Sequence, residues 1–267
     1  MIIVLNILFW NLYNHNLEDY IIECLAERDV DIAVFSEFSK MDIGRLEDKT
    51  GGLYKHVMGL ESDKKITMLV RGTIDAISVL QRKRYSIYHI DSFLKKYIVL
   101  AVHLEDRHNY ETVDRIETIK NAVADVENIE NDLDCSNTFV IGDFNANFLD
   151  EEMISKYAFN SILYKKVIEK NDFTNPESYR KKRFYNPILQ YLSEDTETYG
   201  SYFFSNSSKT PYWYCLDQLL VRKQLVNSIH NFEYIKGIKN EKDLLKKDIP
   251  NKDISDHLPL YVEMMEV

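Results

Sequence analysis

The sequence predicts an α/β protein made of two packed β-sheets with helices on the outside. Short apolar runs bounded by polar turns recur along the chain and outnumber the helical periods. Those helical periods fall between the runs, so strands and helices interleave. Hydrophobic residues make up 45% of the 267, with 18 Tyr and 13 Phe against only 8 Gly and 5 Pro, which suits a packed core. No repeat, low-complexity linker or composition break divides the chain, so residues 1–267 read as one domain.

Taken in order, residues 2–10 form a strand candidate that stops at Trp10-Asn11. Leu17, Tyr20, Ile21, Cys24 and Leu25 then fall on one face of a helix over 17–28. Ile32 to Phe35 is a short apolar strand ending at Ser36-Glu37. After the Gly51-Gly52 turn, residues 53–60, 66–71, 74–82 and 85–91 read as successive strands with turns such as Arg71-Gly72-Thr73 between them. Residues 97–102 form a buried strand ending at His103. Val113, Ile116, Ile119, Val123 and Val126 set a long helix over 109–130. Thr138 to Ile141 is the next strand, 150–170 has helical spacing, and 171–198 is irregular. Strands at 199–204, 215–222 and 258–264 close the chain, with a polar, Lys-rich stretch at 236–253 before the last.

Charge and targeting signals narrow the function. The net charge of −10 argues against a surface that grips long nucleic acid through a general basic face, while it suits an acidic pocket that recruits a cation. Cys24, Cys135 and Cys215 are scattered and read as buried free thiols. The apolar opening breaks at Asn6, too early for a signal peptide, and no run of about 18 apolar residues could span a membrane. A cytoplasmic location follows as the expectation, and heavy Lys, Asn, Ile and Tyr usage suggests a bacterial, AT-rich source.

One pattern recurs: an apolar run stops, and a residue able to serve a metal or a phosphate follows at once. It happens at Asn11, Glu37, His103, Asp143 with Asn145, and Asp256 with His257. Asp217 sits within the strand-like run 214–221, where a lone carboxylate is costly unless paired. Each residue alone has an ordinary reading as a cap, a turn or a solvated carboxylate. Together they suggest metal-assisted attack on a phosphate, which needs oxygen ligands for a hard cation, donors for the anion, and an acid or base.

In this order the motifs resemble the endonuclease/exonuclease/phosphatase superfamily, the DNase I-like fold. Trp10-Asn11, Phe35-Ser36-Glu37, Val102-His103-Leu104, Gly142-Asp143-Phe144-Asn145, Leu216-Asp217-Gln218 and Ser255-Asp256-His257-Leu258-Pro259 carry the resemblance over nearly the whole chain. It implies a four-layered α/β sandwich that hydrolyses a phosphoester with Mg²⁺ or Mn²⁺. On the matching positions, Glu37 is the main metal ligand, with Asn11 and Asp256 beside it. By the same resemblance Asp143 would orient or deprotonate the attacking water, Asn145 and His103 would hold phosphate oxygens, and His257 would contact the phosphate as acid/base or charge stabiliser, with Asp217 fixing its tautomer.

The expected substrate is nucleic acid, cleaved at phosphodiester bonds. The family, the basic run Arg180-Lys181-Lys182-Arg183 as a substrate contact, and the aromatic residues Tyr185 and Tyr212-Trp213-Tyr214 all favour it. The alternative is a phosphatase or phosphodiesterase acting on a small or lipid phosphate. His103 favours that alternative, since apurinic-endonuclease-like members resemble one another in having Tyr at that position. A non-catalytic binding module ranks last, because every motif residue is present.

Overall fold

The structure, a computed structural model, describes residues 3–59, 65–174, 181–193, 199–205, 212–238 and 242–266. The first sheet gathers β1 (Ile3–Asn11), β2 (Ile32–Ser36), β3 (Tyr54–His56) and β4 (Ile66–Arg71) from the first part of the chain. The second begins with β5 (Asp75–Gln81), β6 (Tyr85–Asp91), β7 (Lys96–His103) and β8 (Thr138–Asp143) and adds β9 (Ser161–Ile162) and β10 (Phe184–Tyr185). A small ladder, β11 (Tyr202–Phe203) with β12 (Trp213–Tyr214), precedes β13 (Asp217–Val221) and β14 (Ile229–Tyr234). Two short hairpins follow, β15 (Gly237–Ile238) with β16 (Lys242–Asp243) and β17 (Leu245–Lys246) with β18 (Ile249–Pro250), before the final strand β19 (Leu260–Glu266).

Among the described residues the first sheet has six strands in the order β14-β19-β1-β2-β4-β3, and the second has seven, β5-β6-β7-β8-β13-β10-β9. Both are mixed: β1 with β2 and β7 with β8 run parallel, while β1 with β19 and β8 with β13 run antiparallel. The period-2 alternation of β7 explains the layering. Tyr97, Val99 and Ala101 join the core that includes the first sheet, while Ile98, Leu100 and Val102 join a second cluster under a long helix. That helix is α3 (Thr112–Asp132), which packs Ile119, Ala122, Val123 and Val126 on the outer face. On the other side of the molecule, α1 (Glu18–Glu27) buries Ile21, Cys24 and Leu25 and sits beside α2 (Ile43–Lys49). The result is the sandwich of sheets flanked by helices that the sequence predicts.

Several elements depart from expectation. Asp42 caps α2 by accepting a bond from Arg45 N at 3.1 Å, a short-range signal that a search for apolar periods passes over. The edge strand β14 also escapes the pattern, since only Phe232 and Tyr234 alternate into the core. Residues 150–170 are not one helix. Short helices α4 (Glu151–Ile154) and α5 (Lys165–Lys170) flank β9, because Asn160 adopts a left-handed backbone (φ 53°) and donates to Lys181 O and Lys182 O. Val113, expected on the buried face of the long helix, is 72% exposed. A short helix α6 (Ile188–Tyr191) lies in the stretch read as irregular. The three cysteines are free and buried, and burial pushes the Cys24 and Cys215 thiols up to about 12, which keeps them unreactive. No helix among the described residues is long and apolar enough to cross a membrane.

Candidate active site

The registers bring the motif residues to one end of both sheets. In the first sheet, Asn11 ends β1 opposite Ser36, Glu37 follows directly, and Asp256-His257 precede the start of β19. In the second, His103 pairs with Asp143, and Asp143 pairs with Asp217. Gly142 makes this register possible. A Cβ there would lie 2.0 Å from Val102 O, so only glycine lets β7 and β8 close up beside the Asp143 carboxylate.

Asp143 is the hub. Its Oδ2 accepts a bond from Asn11 Nδ2 at 3.0 Å, and its Oδ1 accepts one from Asn145 N at 2.8 Å. Asn145, in a left-handed backbone (φ 48°), directs Nδ2 to Leu104 O at 2.9 Å and to Asp143 Oδ2 at 3.3 Å. Its carboxamide donors therefore order Asp143 and the Leu104 turn rather than standing free for a phosphate. Burial raises the Asp143 carboxyl above its ordinary value, and the neighbouring charge of His257 opposes the shift.

Glu37 also has a left-handed backbone (φ 50°), which turns its side chain back over the strand end. Its Oε1 accepts from Asn11 Nδ2 at 3.3 Å and lies 3.4 Å from His103 Nε2, and its Oε2 accepts from Asn14 Nδ2 at 2.9 Å. Burial works to raise the Glu37 carboxyl, but bonding to His103 and Asn11 with the charges of His103 and His257 brings it below its ordinary value. Asp256 is held above the usual carboxylate range by burial, and the negative charge of Glu37 adds to the shift.

His257 and Asp217 form a buried pair with Nδ1 2.7 Å from Oδ2. Burial alone would discharge the ring. The carboxylates of Asp217 and Asp143 outweigh it and push the imidazole up to about 10. With Nδ1 engaged, Nε2 is the nitrogen left for the cleft. The surrounding frame was not predicted from sequence. Trp10 Nε1 donates to His257 O at 3.1 Å, Ser255 Oγ donates to Asn11 O at 2.7 Å and accepts from His257 N at 3.1 Å, and Ser201 Oγ accepts from Asp217 N at 3.1 Å. Tyr202 packs its ring 5.1 Å from that of His257. Trp10 and Ser255 stand within the motifs, but their bonds, and the place of Ser201 sixteen positions from Asp217, leave no pattern in the sequence.

All of this opens into one cleft of about 920 Å³ bordered by Glu37, His103, Asp143, Asn145, Asp256 and His257. Lys181, Lys182 and Arg183 of the basic run do not border it. Lys182 Nζ donates to Glu130 Oε2 at 2.9 Å and Arg183 Nη1 to Asn171 O at 3.1 Å, beside Arg222 just past the far end of β13. The run was expected to contact substrate, whereas Glu130, buried near the end of α3, draws Lys182 inward as a structural partner. Lys181 is exposed in the same segment, and Arg180 lies outside the described residues.

No protein-family model matches the chain, and no curated protein matches it in sequence. Solved structures do match in fold. TDP2 from D. rerio, complexed with single strand DNA product, superposes with a TM-score of 0.60 at 16% identity over 99% of each chain. An endonuclease/exonuclease/phosphatase family protein from Bacteroides thetaiotaomicron gives 0.57 at 12% identity over 100% of this chain and 99% of the other. The AP endonuclease LMAP from Leishmania major gives 0.60 at 10% identity over 99% and 88%. At these identities the likeness is one of architecture, and the chain has the DNase I-like α/β sandwich.

Proposed function

We propose that the chain is a divalent-metal-dependent phosphoester hydrolase, a nuclease that cleaves phosphodiester bonds in nucleic acid and acts as one domain. The observation that carries this reading is the convergence, from six separate segments, of Glu37, His103, Asp143, Asp256 and His257 on one cleft, with Asn11 and Asp217 hydrogen-bonded behind them. The donor set fits Mg²⁺ or Mn²⁺. Glu37 and Asp256 are like charges close enough for one to raise the other, and a hard cation held by them, with Asn11 beside, would relieve that repulsion with oxygen ligands. Asp143, Asp217 and His257 also offer atoms within 4.8 Å of one another, but the 2.7 Å contact of Nδ1 with Asp217 makes that group a hydrogen-bonded charge pair and a poorer cation site. Bound at Glu37 and Asp256, the cation would polarise a phosphoryl oxygen.

The protein's own groups supply the remainder. Asp143, aligned by Asn11 and Asn145 and raised by burial, orients the attacking water and accepts its proton. His257, charged and steered by Asp217, turns Nε2 to the phosphate and stabilises the charge that grows there. His103, within 3.8 Å of both Glu37 and Asp143, holds a further phosphate oxygen.

Nucleic acid is favoured by the shared fold of TDP2, solved with single strand DNA product, and by Tyr13, Tyr202, Phe204 and Tyr214 along the cleft, whose rings could stack on bases. The size of the cleft and the charge of −10 favour a second reading, a phosphatase or phosphodiesterase for a small or lipid phosphate. Hydrolysis of single-stranded DNA, duplex DNA and RNA, set against bis(p-nitrophenyl) phosphate and p-nitrophenyl phosphate with Mg²⁺ or Mn²⁺, separates the two. Polymer cleavage is the expected result. Turnover of a small ester with every polymer left intact would overturn the nuclease reading.

A further inference from the structure

The row of cleft residues does not end at His103. The next strand of the second sheet contributes Arg84, immediately before β6, where Arg84 O accepts a bond from His103 N at 2.9 Å. In the first sheet Lys65 immediately precedes β4, whose Ile66 pairs with Ser36, next to Glu37. Each sheet therefore carries a cation one strand beyond the reactive row, and both line the cleft. Neighbouring strands lie roughly 4.8 Å apart, so Arg84 stands about 10 Å across the sheet from Asp143, too far to share its phosphate and near enough for the next anionic group.

Arg84 is also held as a binding group would be. Its Nε lies 3.3 Å from Glu105 Oε1, and Glu105 is buried and fixed to α3 by Thr118 Oγ1 at 3.1 Å. The Tyr110 ring lies 5.3 Å from the guanidinium. The pairing engages only Nε. Among the described residues neither terminal nitrogen of Arg84 has a hydrogen-bond partner, so the fork that binds phosphate oxygens two at a time remains available. Arg107, by contrast, is committed to Asp150 and Glu152 on the same wall.

We propose that Arg84, with Lys65 opposite, forms a subsite for a second phosphate on the same substrate, one position from the phosphate that is cleaved. The subsite rests on the proposed phosphoester hydrolase reading and deepens it. The substrate carries at least two phosphates, as a nucleic acid strand does and as a small bisphosphate could. A simple diester lacks the group that Arg84 recognises.

The test compares the thymidine dinucleotide TpT, with one phosphate, to the trinucleotide TpTpT, with two. The quantity read is the ratio of their kcat/KM values. In Arg84→Ala the ratio falls about tenfold or more, the scale of a lost charge-assisted bond, and in Arg84→Lys it falls less. A ratio unchanged from the wild type, here and in the alkanediol pair below, overturns the subsite even where all rates drop together, because a brace acting only through Glu105 lowers them alike. The same ratio measured as binding affinity, on Asp143→Asn with and without Arg84→Ala, decides the subsite with no turnover required. An absence of hydrolysis by the wild type therefore counts against the proposed activity and not against the subsite. An alkanediol bisphosphate paired with its monophosphate identifies the source of the second phosphate. Loss of discrimination in the nucleotide pair assigns a nucleic acid strand, and loss in the alkanediol pair alone assigns a small bisphosphate. Loss in neither contradicts the subsite.

Discussion

Asp217 and His257 lie 40 positions apart in sequence and meet through one short contact. That contact is the largest contribution that keeps the ring charged. Asp217→Asn keeps the shape and removes the nearest negative charge, so the imidazole is expected to titrate lower. His257→Ala is expected to lower kcat by about 10²–10⁴-fold, with Asp217→Asn following in the same direction. Steady-state kinetics beside circular dichroism checks this, and an unchanged kcat in a folded His257→Ala protein contradicts the role. At this scale the candidate site was largely legible, because Asn11, Glu37, His103, Asp143, Asp256 and His257 sit where apolar runs stop and Asp217 is a lone carboxylate within one. Asn14 and Ser201 were not legible as parts of the site, since they act by orienting other residues across gaps that sequence spacing does not record. Arg84 was hidden for a related reason: it precedes a strand rather than ending one, and its place beside His103 exists only through sheet pairing.

Two elements can be tested by stability. Gly142→Ala would push a methyl against Val102 O, and β7 must separate from β8 beside Asp143. The expected cost is about 1–3 kcal/mol or more, with activity lost even where the fold survives. Thermal unfolding reads it, and an unshifted Tm contradicts the close approach. At the far end of the second sheet, Glu130 is buried, which by itself raises its carboxyl. The charge of Arg222 and bonds from Lys182 and Arg222 outweigh burial and hold it below its ordinary value. A depressed folded pKa gives stability that is present above the unfolded carboxylate value, about 4.3, and is lost as pH falls through the folded value. Glu130→Gln should therefore cost about 3–5 kcal/mol near neutrality by leaving buried Arg222 without its partner, and the gap from wild type should narrow below about pH 4. A gap constant from pH 7 to pH 3 would rule the pairing out as its source. Element positions were legible wherever an apolar period was long. The break at Asn160 and the capped α2 were not, because a left-handed backbone and a single capping bond leave no period.

Across the whole molecule, two mixed sheets face each other and place their motif residues at one shared end. A net charge of −10 is compatible with this, because the cations that matter, Arg84 and Lys65, line the cleft. The fold class was legible from interleaved strands and helices. The pairing order that aligns Glu37 with Asp143 across the cleft was not, since it depends on contacts between segments more than a hundred residues apart. The central claim is that a divalent cation and Asp143 act together in this cleft. The most direct measurement is phosphodiester hydrolysis by the wild type and by Asp143→Asn, each titrated with Mg²⁺ and Mn²⁺ and then with excess EDTA. The account predicts turnover that requires the cation, disappears in EDTA and falls by about 10²–10⁴-fold in the variant. Undiminished turnover in EDTA, or wild-type turnover by Asp143→Asn, would contradict it.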